Sequence, residues 1–97
     1  MRFEVFGRAR CARCKSTMAK LEHLVKKAGL NGAVRITSVD MDSIEGMAEG
    51  AFHDVQRVPT TILWSDGGDP LARWDGRIPL SAQVQGFLAE ASRAGVP

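Results

Sequence analysis

Apolar residues recur along this chain in two rhythms, and the points where the rhythm changes mark the elements. Arg2-Phe3-Glu4-Val5-Phe6 alternates polar and apolar positions and closes on two apolar ones, which predicts a strand. Gly7 to Arg10 reads as a short loop. From Cys11 to about Ala28, the residues Cys14, Met18, Leu21, Val25 and Ala28 follow one another at spacings of four and three. That is one buried stripe of an amphipathic helix, widened by Leu24. Gly29 stands where a glycine ends a helix, and Asn31-Gly32 makes a turn.

Ala33 to Val39 is rich in β-branched residues and predicts a second strand. Asp42-Ser43-Ile44-Glu45 has the form of a capping box with an acidic cap. Ile44, Met47, Ala48, Ala51, Phe52 and Val55 then mark a second helix. Gly46 and Gly50 weaken it by about 1 kcal/mol each relative to alanine. Thr60 to Trp64 predicts a third strand after Val58-Pro59, and Ser65 to Asp69 has the composition of a hairpin turn. Leu71 to Trp74 is a fourth strand, antiparallel to the third. Asp75-Gly76 turns the chain, Ser81 caps a last helix carrying Val84, Phe87, Leu88 and Ala91, and Gly95 ends it. The order is βαβαββα. A helix joins the first two strands, so they are expected to be parallel, and the hairpin makes the sheet mixed.

At 97 residues the chain is expected to form a single domain, residues 1–97, with room for one modest core. With 44% hydrophobic and 25% charged residues, it has the composition of a soluble globular protein. No apolar run is long enough to span a bilayer, and the first residues lack the apolar core of a signal peptide. The expected location is the cytoplasm, with no membrane partner. The net charge of +2 hides an asymmetry. Residues 1–35 carry nine Lys and Arg against Glu4 and Glu22, a balance of +7, while the rest carries four against nine, or −5. Most of that basic helix reads as a solvated face. A nucleic-acid partner is not expected: there are no tyrosines, and the aromatics fall mostly on core positions rather than on a stacking surface.

The chain has two cysteines, Cys11 and Cys14, on the first turn of the first helix. The loop they would close is too small to staple a fold. In a reducing compartment such a pair serves catalysis or metal binding. Two thiols at this spacing can close into a disulfide and reopen, and the free N–H groups of a helix N-terminus favour a thiolate there. Arg8, Arg10, Arg13 and Lys15 add positive charge around them. Zinc wants four ligands, and neither His23 nor His53 stands at a finger-like spacing from the pair, so both histidines are expected to be solvated and no metal site is assigned. A non-enzymatic zinc- or copper-binding CxxC protein, for instance with the metal bridging two copies, is the competing reading. Trp64 and Trp74, at the ends of the hairpin strands, are expected in core or sheet-edge packing.

With Cys11-Ala12-Arg13-Cys14 at the head of the first helix and Val58-Pro59-Thr60-Thr61 before the third strand, the chain resembles the thioredoxin-like superfamily, in particular its small thioredoxin- and glutaredoxin-like members. The resemblance covers nearly the whole chain. It implies an α/β minimal thioredoxin fold with a four-stranded mixed sheet flanked by three helices. It also implies a cis bond before Pro59, Pro59 beside Cys11, and Val58 as the residue that faces substrate. The chain has Arg10 where thioredoxins usually have Trp, Ala12-Arg13 in place of Gly-Pro, and Val5 where they carry a buried Asp. Arg8 falls where glutaredoxins often place a Lys that contacts glutathione. Asp75-Gly76-Arg77-Ile78-Pro79, in contrast, replaces the Gly-Gly-Asp of glutaredoxins and looks more like thioredoxin.

The resemblance and the residues together lead to a thiol–disulfide oxidoreductase reading. Cys11 is the expected nucleophile, and Cys14, on the buried stripe, resolves the mixed disulfide. Val58, Pro59, Arg8, Arg10 and Arg13 are the expected substrate contacts. No bound cofactor is expected. Glutathione is the alternative co-substrate, in a glutaredoxin-type activity. The expected partners are disulfide-containing proteins and a reductase as electron donor, with the chain acting as a monomer.

Overall fold

In the computed structural model, which describes residues 1–94, the elements run β1 (Arg2–Gly7), α1 (Ala12–Lys27), β2 (Arg35–Asp40), α2 (Ile44–Phe52), β3 (Thr60–Trp64), β4 (Pro70–Asp75) and α3 (Ser81–Ala94). This is the expected βαβαββα order. The strands form one sheet in the order β2-β1-β3-β4. β1 lies parallel to β2 and antiparallel to β3, and β3–β4 is an antiparallel hairpin with an irregularity between Leu63 and Trp64. The expected helix end at Gly95 lies outside the described residues. Among the described residues, no helix is long and apolar enough to cross a membrane.

β1 is central, and its alternation sorts the core. Phe3 and Val5 point to one face, where they pack with Leu21, Leu24 and Val25 of α1, Leu63 and Trp74 of the hairpin, and Val84 and Leu88 of α3. Phe6 points to the other face, where it meets Met41, Val55 and Ile62. The α1 stripe therefore buries as its spacing predicts, except that Ala28 is exposed and serves as the C-cap. The helix closes in a Schellman arrangement: Gly29 N–H donates to the Lys26 carbonyl and Leu30 N–H to the Val25 carbonyl, both at 3.0 Å. Leu30 then packs on the core. Ala33 and Val34 are held to the Leu30 carbonyl in the turn, so β2 begins two residues later than the β-branched run suggests.

α2 departs from its sequence pattern. Ile44, Met47 and Phe52, expected on its packing face, are 80%, 51% and 83% exposed. Its buried residues are Gly46 and Gly50. A Cβ on Gly46 would run into the Asp40 carbonyl oxygen, and one on Gly50 would stand 2.5 Å from the Met41 methyl carbon. Backbone proximity, not an apolar stripe, seats this helix. Its cap is Ser43 rather than Asp42: the Ser43 hydroxyl accepts the Gly46 N–H at 2.9 Å. Ser81 likewise is the first helical residue of α3 rather than its cap, and the Leu80 carbonyl accepts the N–H groups of Gln83 and Val84. The two tryptophans part company. Trp74 is buried in the main core with its indole N–H on Gln83 Oε1 at 2.8 Å, whereas Trp64 is half-buried on the α2 face.

Candidate active site

Cys11 and Cys14 are joined in a disulfide, with their Cα atoms 5.2 Å apart. Cys11 is the N-cap of α1, in extended backbone conformation, and its Sγ accepts the Cys14 N–H at 3.1 Å. A sulfur in this position takes the role a serine or aspartate oxygen plays in an ordinary cap. It receives one of the free N–H groups of the helix start, the environment that favours a thiolate when the disulfide opens. Cys14, three residues on, turns onto the buried face and is 5% exposed, while Cys11 is half-buried. The asymmetry between an outer and an inner sulfur is thus present in the geometry.

Gly7 makes room for the inner one. A Cβ at Gly7 would stand 3.0 Å from both Cβ and Sγ of Cys14. Val5 is buried in the core, and the Val5 side chain rather than a carboxylate faces the groove beside Cys14. That groove, about 450 Å³, is also walled by Gly7, Met18, Ala19 and Val39.

The β1–β3 register pairs Phe6 with Thr60, so Val58-Pro59 reaches the same sheet end as Gly7 and the Arg8–Arg10 loop. The Val58–Pro59 peptide is cis, as the resemblance implies, Pro59 is buried and Val58 is partly exposed. The segment leading to it is braced. Arg73 of β4 donates to the carbonyls of His53 and Asp54, at 2.5 and 2.9 Å, and pairs with Asp75 at 2.8 Å. Asp54 takes a left-handed φ of 53° there. The Thr60 hydroxyl closes the turn on the Arg57 carbonyl at 2.7 Å.

The three arginines expected near the cysteines have different surroundings. Arg8 is tied to Asp42 by an ion pair at 2.5 Å, which offsets its charge. Arg13 donates to the Gly76 carbonyl at 3.1 Å and links α1 to the β4–α3 loop. Arg10 is exposed and has no carboxylate partner among the described residues. Sequence reasoning did not single out Gly7 or Arg73. The glycine just before the cysteine loop was a local signal for the first, and nothing local marks the second.

Among the described residues, no histidine or carboxylate gathers with the two sulfurs into a potential metal-holding group. His23 is exposed as expected. His53 is not solvated: its side chain is 18% exposed and lies among the rings of Phe6, Phe52 and Trp64. The expectation failed because His53, the C-cap of α2, lies over the sheet beside Phe6 and Trp64.

Neither the protein-family models nor the curated proteins contain a match to this chain. Solved structures do match. Thioredoxin-2 of the malaria parasite is 22% identical with a TM-score of 0.74, over 92% of this chain and 81% of its own. Thioredoxin 1 from Thermosipho africanus is 20% identical with a TM-score of 0.68, over 99% of this chain and 100% of its own. Oxidised thioredoxin O2 from Arabidopsis thaliana is 20% identical with a TM-score of 0.71, over 92% and 72%. Together with the strand order and the cysteine pair at the head of α1, these likenesses establish that the chain is thioredoxin-like in fold.

Proposed function

We propose that this chain is a single-domain, monomeric thiol–disulfide oxidoreductase of the cytoplasm that reduces protein disulfides through Cys11 and Cys14. The observation that carries the reading is the unequal placement of the two sulfurs, one capping a helix and accepting an N–H bond, the other buried behind it. In the reduced form the Cys11 thiolate attacks one sulfur of a target disulfide. A Cys11–target bond forms, the target S–S bond breaks, and the other target sulfur leaves as a thiolate. Cys14 then gives up its proton and attacks Cys11 Sγ. The mixed disulfide breaks, the target leaves with both sulfurs reduced, and Cys11–Cys14 closes, so two electrons have passed to the target. With Val5 in place of a buried acid, the Cys14 proton goes to water or to the departing thiolate.

Val58, at the exposed side of the Val58–Pro59 segment, is the proposed contact for an extended target chain, with Arg10 and Arg13 beside the sulfurs. The Asp75-Gly76 segment, which stands in place of the Gly-Gly-Asp of glutaredoxins, supports a protein reductase as electron donor over glutathione. No bound cofactor takes part in this scheme.

Insulin reduction tests it. Cys11→Ser is expected to abolish activity, and Cys14→Ser to accumulate a mixed disulfide with the target, visible by mass spectrometry. A Cys11→Ser protein that still reduced insulin would overturn the reading. Recycling by thioredoxin reductase with NADPH, compared with glutathione and glutathione reductase, identifies the donor.

A further inference from the structure

We infer that Glu4, Glu49 and His53 form a binding site for one divalent transition-metal ion, best suited to Zn²⁺, on the α2 face of the sheet and separate from the cysteine pair. Each of the three brings one ligand atom to within 4.8 Å of the other two. The inference does not rest on the exchange chemistry, which gives none of these residues a task.

Glu4 is the unusual member. It sits in the middle of the central strand, is 7% exposed, and shares its face with Phe6 and Ile62. A carboxylate in such surroundings is costly unless compensated. Its Oε1 accepts the Trp64 indole N–H at 3.0 Å. Its Oε2 has only the Arg2 guanidinium, at 3.4 Å, and the same Arg2 nitrogen is equally close to the Thr37 hydroxyl. One oxygen is thus oriented by a fixed donor while the other is weakly held, the arrangement in which an outer hydrogen bond aims a carboxylate at a metal.

Glu49 and His53 approach from above. They are four residues apart at the end of α2, on one face of the helix, and His53 Nε2 lies 3.2 Å from Glu49 Oε1. The imidazole is held by packing, with the rings of Phe6, Trp64 and Phe52 at 6.0, 5.2 and 5.0 Å from its centroid. Oxygen and nitrogen ligands bound to one zinc at about 2.0–2.2 Å stand roughly 3.5 Å from one another. His53 and Glu49 already stand at that spacing, and bringing Glu4 onto the same ion needs at most little more than about an ångström of closure. Two carboxylates balance a dication. The imidazole favours zinc over magnesium or calcium, and the lack of thiolates disfavours copper(I). Three protein ligands leave a fourth position for water.

The test is a Zn²⁺ titration of the oxidised protein, in which the disulfide removes the thiolates from competition. Calorimetry is expected to show one Zn²⁺ per chain. The ¹⁵N–¹H spectrum is expected to show the Trp64 indole N–H moving with zinc while that of Trp74 stays fixed. His53→Ala and Glu49→Gln should weaken binding by about tenfold or more, and His23→Ala should leave it unchanged. The inference is overturned if saturating Zn²⁺ leaves the Trp64 resonance in place, or if the His53→Ala protein, folded by the same spectrum, binds zinc as tightly as the parent. Either failure leaves the insulin-reduction result untouched, since that reading depends on the cysteines alone.

Discussion

The two faces of the sheet are held by different means. Under α1 and α3, large side chains from five elements interlock: Phe3, Leu21, Leu63 and Val84 are fully buried, and Trp74 nearly so. Under α2 the apolar cluster is small, the helix is seated through Gly46 and Gly50, and a carboxylate lies among the apolar groups. The first face is stabilised by apolar area removed from water. The second depends on how closely a helix backbone can approach a strand end. Cys14 is carried by α1, the helix that covers the first face. The metal site proposed above belongs to the second, where polar groups replace part of the packing.

Substitutions can break or sharpen this contrast. Leu21→Ala, in the densest part of the first face, should cost about 2–5 kcal/mol, measured as a lower denaturation midpoint with an unchanged m-value. Gly46→Ala should act in the direction opposite to helix propensity. Alanine favours the helix by about 1 kcal/mol, but its methyl meets the Asp40 carbonyl and α2 must shift, for a net loss of about 1–3 kcal/mol. Gly86→Ala is the control for that reasoning. Gly86 is exposed on α3 with nothing within 4 Å of an added Cβ, so the same change should stabilise by about 0.5–1 kcal/mol. If Gly46→Ala also stabilised, the glycine-seated account of α2 would fall. Phe52→Ser should have the smallest effect, within about 0.5 kcal/mol, because Phe52 is almost fully exposed. A much larger loss in the urea midpoint would mean that α2 is packed by its apolar side after all.

Legibility in the sequence followed the same division. The α1 stripe was readable because every contact that buries it repeats at helical spacing within one segment, so period alone identifies the face. α2 misled for the converse reason. Ile44, Met47 and Phe52 look like a packing face in isolation, and only the strand end at Asp40 and the Met41 side chain decide that the glycine side is turned inward. Within the site, the cysteine pair and Val58-Pro59 were visible as local motifs. The bracing of that segment by Arg73 and the clearance at Gly7 were not, because the partners lie on other elements. Nothing in the neighbours of His53 announces Glu4, forty-nine positions away in the chain.

By itself the sequence determined the element order, the stripe that buries α1, and a cysteine pair at that helix's first turn. These depend on short-range periodicity and on spacings of a few residues, which a chain carries with it wherever it folds. The tertiary structure alone decided that the inner sulfur lies against Gly7, which side of α2 faces the sheet, and that Glu4, Glu49 and His53 converge. Each of these depends on distances between segments set by strand register and helix placement, and those distances exist only once the sheet has formed.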